Sequence, residues 1–91
     1  MSTGYFLHIY ISPKTGLEAD QVEAQINLAI DWYRYANDTY VVYTTTNVEK
    51  WMVRLRPLVE PDGTLLIVEL NHLKRNGWMP QDFWDWLNKK R

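Results

Sequence analysis

Cysteine is absent from this 91-residue chain, which excludes disulfides, thiolate metal sites and thiol chemistry. Serine occurs only at Ser2 and Ser12 and histidine only at His8 and His72, so a serine–histidine hydrolase constellation finds no support. No glycine-rich phosphate loop is present. The longest uninterrupted aliphatic run, Leu65–Val68, is far too short to cross a bilayer. The opening MSTGYFLHIYIS lacks the basic region and small-residue cleavage site of a secretory signal. A soluble cytoplasmic protein without membrane contact is the expectation. Charge of either sign is also scarce in the sum, at −1. Residues 1–47 carry two basic side chains against five acids, and residues 48–91 carry eight against six. Much of the basic surplus sits in His72-Leu-Lys-Arg75 and Lys89-Lys-Arg91, where helix-end positions suit the helix dipole as well as a phosphate.

What the chain does have is aromatic side chains, five Trp, six Tyr and two Phe, within a 46% hydrophobic composition. One domain over 1–91, with a core of about 5–71 and a tail of about 72–91, is expected at this length. DWYRYA-ND-TYVVYT, Asp31–Thr44, sets two β-prone runs around Asn37-Asp38, residues that tolerate positive φ and suit a tight hairpin turn. Tyr5–Ser12 alternates strictly: Tyr5, Leu7, Ile9 and Ile11 face one way, and Phe6, His8, Tyr10 and Ser12 the other. Thr15 and Glu18 have capping-box spacing, although a start near Asp20 is open too, and Ala19, Val22, Ile26, Ala29 and Ile30 form one apolar stripe. Thr46 and Glu49 repeat that spacing before Val48, Trp51, Met52, Leu55, Leu58 and Val59. Pro57 should bend or end this helix near Arg56. Glu60-Pro-Asp-Gly63 is a turn, and Thr64–Asn71 a further strand with Leu66, Val68 and Leu70 on one face. After a loop over His72–Gly77, Pro80 opens a last helix whose Phe83, Trp84, Trp86 and Leu87 require cover, from this chain or a neighbour.

The order strand–helix–strand–strand–helix–strand is that of a ferredoxin-like α+β sandwich. It predicts a four-stranded antiparallel sheet with two helices on one face and an additional C-terminal helix. YFLHIYISPKTG, IDWYRYANDTYVVYT and TTNVEKWMVRLRPLVEPDGTLLIVEL together resemble the small SinR-like proteins related to the CRISPR-associated endoribonucleases of spacer adaptation. The resemblance spans roughly Tyr5–Leu70. It implies this fold, a two-fold dimer and, in nuclease relatives, an aspartate near the end of the first strand that shares a divalent metal across the dimer axis. Here that region reads His8-Ile-Tyr10-Ile-Ser12, with Tyr10 about where the acid would stand, and a protonated phenol is a poor magnesium ligand.

Residue by residue, ordinary structural roles compete with functional ones. His8 lacks a partnered catalytic group in the sequence and reads as a hydrogen-bonded structural histidine. Asp82 and Asp85 share one side of the last helix, as solvated or dipole-complementing acids. An aromatic sheet face is the sharper feature. Phe6, His8 and Tyr10, flanked on the outer hairpin strand by Trp32 and Arg34 or by Tyr33 and Tyr35, form a candidate interaction face. Phe6, His8, Tyr10, Trp32 and Arg34 are taken as that face. The expected function is a non-catalytic interaction module acting as a homodimer, with no cofactor and no metal. The alternatives are a metal-dependent endoribonuclease and a nucleic-acid-binding domain using Arg34, Lys74 and Arg75.

Overall fold

The computed structural model describes residues 4–71 and 74–89. His72 of the expected loop, and Lys90 and Arg91 of the basic tail, lie outside the described residues. The elements run β1 (Tyr5–Ser12), α1 (Ala19–Ile26), β2 (Asp31–Ala36), β3 (Thr39–Thr44), α2 (Val48–Val59), β4 (Thr64–Leu70) and α3 (Gln81–Asn88). The strands form one antiparallel sheet in the order β2-β3-β1-β4. No helix among the described residues is long and apolar enough to cross a membrane.

The strict alternation of β1 divides the interior into two layers. Leu7, Ile9 and Ile11 pack with Val22 and Ile26 of α1, with Trp51, Leu55 and Val59 of α2, and with Tyr40 and Val42 of β3. Phe6 faces the other way, joining Val41, Phe83 and Leu87 in a second cluster under α3. Two helices therefore cover one face of the sheet and a third covers part of the opposite face. Trp51 is fully buried, and its indole Nε1–H donates to Thr44 Oγ1 at 3.2 Å. The same oxygen accepts the Thr46 amide at 3.0 Å, so this buried polar side chain is satisfied.

Local departures from the sequence pattern have identifiable causes. The cap of α1 is Glu18, whose amide donates to Gln21 Oε1 at 2.9 Å. Thr15 is instead tied to the acidic turn, its amide donating to Asp62 Oδ1 at 3.2 Å and its hydroxyl to Asp62 Oδ2. The stripe does not extend as helix through Ile30, because the Ile30 amide donates to the Tyr43 carbonyl at 2.9 Å and commits that residue to the sheet. Ile30 is left exposed. The cap of α2 is Asn47, whose side chain accepts the Lys50 amide at 2.9 Å, in place of Thr46.

Pro57 lies inside α2, which continues to Val59 rather than stopping near Arg56. The carbonyl deprived of its partner is that of Val53, a residue 74% exposed, where water can replace the missing amide. Gly63 closes the following turn, its amide bonded to the Val59 carbonyl at 2.6 Å. A Cβ there would collide with the Ser12 carbonyl oxygen.

Candidate functional site

The hairpin decides which side chains share a face. Asp38 takes the expected positive φ of 63° in the turn, and Ala36 pairs with Thr39. A regular ladder continued from that pair would set Arg34 opposite Val41 and Trp32 opposite Tyr43, on the face of Phe6 and His8. A β-bulge between Arg34 and Ala36 inserts one residue, so Arg34 pairs with Tyr40, Tyr33 with Val41 and Trp32 with Val42. With a side-chain period of two, one extra residue exchanges the faces of everything beyond it.

Trp32 and Arg34 consequently lie on the helix-bearing face, apart from Phe6, His8 and Tyr10. Trp32 Nε1–H donates to Asn27 Oδ1 at 3.1 Å and meets the Tyr40 ring edge-on at 5.7 Å. Arg34 pairs with Glu23 of α1 at 3.1 Å and lies over the Tyr40 ring at 5.6 Å. Both fasten α1 to the hairpin. The side chains that join Phe6 and His8 from β2 are Tyr33 and Tyr35, the other alternation of that strand.

Phe6 is 4% exposed because α3 of the same chain covers it. Phe83 and Leu87, one turn apart on α3, point into the sheet. Ring contacts complete the layer: Phe6 with Tyr43 at 5.1 Å and with Trp86 at 5.8 Å, and Tyr33 with Phe83 at 5.3 Å. The Tyr33 hydroxyl donates to Asp82 Oδ2 at 3.0 Å. Burial, then the Asp82 hydrogen bond and charge, hold the Tyr33 phenol above its ordinary range. Asp85 accepts from Gln81 Nε2 at 3.0 Å, so both α3 carboxylates have roles in securing the helix.

His8 is half-buried at the margin of this layer, with Nε2 2.6 Å from the Tyr35 hydroxyl. Burial lowers its pKa, favouring the neutral imidazole. Tyr10 lies beyond the reach of α3 and is 37% exposed. Across the ladder it pairs with Leu66, and His8 pairs with Val68. Leu66 and Val68 are 55% and 42% exposed. These three side chains form an uncovered apolar patch beside the outer edge of β4. The sequence places Leu66 and Val68 on one face of their strand, but only the extent of α3 shows that this face is left open.

Lys74 and Arg75 lie in the segment between β4 and α3, on the face opposite Arg34. Arg75 Nη2 donates to Asn88 Oδ1 at 2.7 Å, and its guanidinium sits 5.6 Å from the Trp84 ring centre. With His8, Tyr35, Leu70 and Phe83 they border a cleft of about 310 Å³. Arg34, Lys74 and Arg75 therefore do not make one continuous basic track. Among the described residues no three His, Asp or Glu side chains converge in a way that could hold a metal ion. No protein-family model, curated protein or solved structure matches the chain.

Proposed function

We propose that the chain is a non-catalytic, ferredoxin-like interaction module that forms a homodimer through the outer edge of β4. The element order and the strand order β2-β3-β1-β4 support the ferredoxin-like reading, while the kinship to SinR-like proteins rests on the sequence resemblance alone. The observation that carries the self-association is the contrast between the two sheet edges. β2 bears a bulge, Asp31 and Arg34, features that discourage strand addition. β4 is seven residues long with Glu69 as its one charge, no proline and no bulge in its pairing with β1. Its Leu66 and Val68 stand exposed beside Tyr10.

A second copy suits this edge because antiparallel pairing about a two-fold axis is self-complementary. Centred on Ile67, it sets Leu66 against the partner's Val68 and Glu69 against the partner's Leu65, so no like charges meet. The patch is small beside the roughly 800 Å² per partner of a standard interface. Main-chain hydrogen bonds must supply much of the attraction, and the dimer should dissociate on dilution. A metal-dependent endoribonuclease fits less well, since β1 offers no carboxylate and the α3 acids engage Tyr33 and Gln81.

Light scattering over a concentration series tests this reading. The wild-type mass should rise from the 10.9 kDa of one chain toward twice that value. Val68→Lys should stay at the lower value with its fold intact, because the side chain is exposed. A wild type that remains monomeric throughout, or a variant that dimerises equally well, overturns the proposal.

A further inference from the structure

The two flanks of α2 face different neighbours. Trp51, Leu55 and Val59 point into the core, so helical spacing puts Met52 and Arg56 on one flank and Arg54 and Leu58 on the other. The Leu58 carbonyl accepts the Lys14 amide at 2.8 Å, from the segment that leads into α1. α1 itself is held over β2 by the Arg34–Glu23 and Trp32–Asn27 contacts. The flank of Met52 and Arg56 is therefore turned away from α1 and toward β4, the edge strand that α2 contacts. Both side chains are exposed. The turn over 60–63 joins the end of α2 to the start of β4, which sets Arg56 level with Leu65. Met52, roughly 6 Å back along the helix, is then level with Ile67, about 6.6 Å along the strand. Glu69 pairs with Leu7 across the ladder, which puts its exposed side chain on this same helix-bearing face.

We propose that in the β4 dimer each Arg56 pairs with the partner's Glu69, while Met52 packs beside the two-fold axis against the partner's Met52 and the partner's Ile67. The inference rests on the strand pairing proposed above and adds a second wall to it, on the face opposite Tyr10, Leu66 and Val68. Pairing centred on Ile67 brings the partner's Glu69 opposite Leu65, the level of Arg56. An antiparallel neighbour lies about 4.8 Å beyond β4, within the reach of an arginine side chain. Arg56 Nε contacts Glu60 at 3.0 Å, an exposed pair of little strength, and the five donors of a guanidinium can hold two carboxylates. Without such a partner, dimerisation would strip water from the Glu69 carboxylate beside an apolar side chain, at a cost. The two-fold axis makes each contact twice. A slip of two residues keeps the faces but parts the charges, so the pair also fixes the register.

Charge exchange in trans tests the pair. Glu69→Lys and Arg56→Glu each place like charges together at both contacts of their own dimer. Sedimentation equilibrium should show each variant associating about tenfold or more weakly than wild type, with circular dichroism confirming the fold. Mixed in equal amounts, the two variants bring opposite charges together at both contacts and should associate within about threefold of wild type. Such rescue cannot arise from a contact within one chain. A mixture that associates no better than its components, or single variants that dimerise as well as wild type, overturns the inference. The β4 pairing is judged separately, by loss of the dimer in Val68→Lys, and survives that result. A wild type that never dimerises overturns both.

Discussion

Replacing Phe83 by alanine separates the two layers experimentally. Phe83 is 7% exposed and meets Tyr33, Tyr35, Trp84 and Trp86 through its ring. Truncating a buried phenylalanine costs about 3–5 kcal/mol when the site cannot collapse. That is comparable to the whole gain from taking Phe83 and Leu87 out of water, about 1.5–3 kcal/mol for each. The layer beneath α1 and α2 is a distinct cluster that includes neither residue. The loss of global stability thus cannot exceed the free energy with which α3 docks, because beyond that limit α3 leaves while the rest stays folded. Native-state hydrogen exchange should show protection lost from Gln81–Asn88 and retained in β1, α1 and α2. Acrylamide should quench Trp84 and Trp86 more readily, with Trp51 still shielded. Uniform loss of protection across the chain, or an α3 that stays fully protected, would refute the two-layer account.

Three further outcomes follow from single features. Deleting Tyr35, the residue that the bulge inserts, leaves a regular ladder in which Arg34 still meets Tyr40 and Trp32 still meets Val42, so circular dichroism should show a folded chain whose melting temperature falls only by the loss of the Tyr35 contacts with His8 and Phe83. Gly63→Ala drives a Cβ into the Ser12 carbonyl oxygen and should cost about 1–3 kcal/mol in urea unfolding, through local overpacking. The Thr15 hydroxyl, then the Thr15 amide, hold the Asp62 carboxyl below its ordinary range. Its contribution is therefore present above the unfolded-state pKa near 3.8 and lost as pH falls through the lower folded value. Asp62→Asn should be less stable than wild type at neutral pH and lose less on acidification, as read from melting temperatures across the pH range.

The sequence carries most of the architecture and only part of the site. Element order was legible because period-two alternation in Tyr5–Ser12 and Thr64–Leu70, and three- and four-residue spacing around Val22 and Trp51, report burial directly. Of the two outcomes that Pro57 allows, a bend or an end near Arg56, the end is not found: α2 runs on to Val59, and the carbonyl left without its amide partner belongs to the exposed Val53. Trp32 and Arg34 lie on the far face because a bulge leaves no composition signature in RYAND, yet reverses every side chain beyond it. The clustering of Phe83, Trp84, Trp86 and Leu87 announces an apolar surface in need of cover without saying whose surface covers it. That choice depends on whether the segment after β4 can return across its own sheet, which is a property of the chain path rather than of local pattern. Leu66 and Val68 gain their interest only from where α3 stops.

Amide exchange along the two edge strands at increasing protein concentration tests the β4 interface most directly. The account predicts that protection within Thr64–Leu70 grows with concentration while Asp31–Ala36 is unaffected. Protection that is independent of concentration in β4, or that grows in β2 instead, would contradict it.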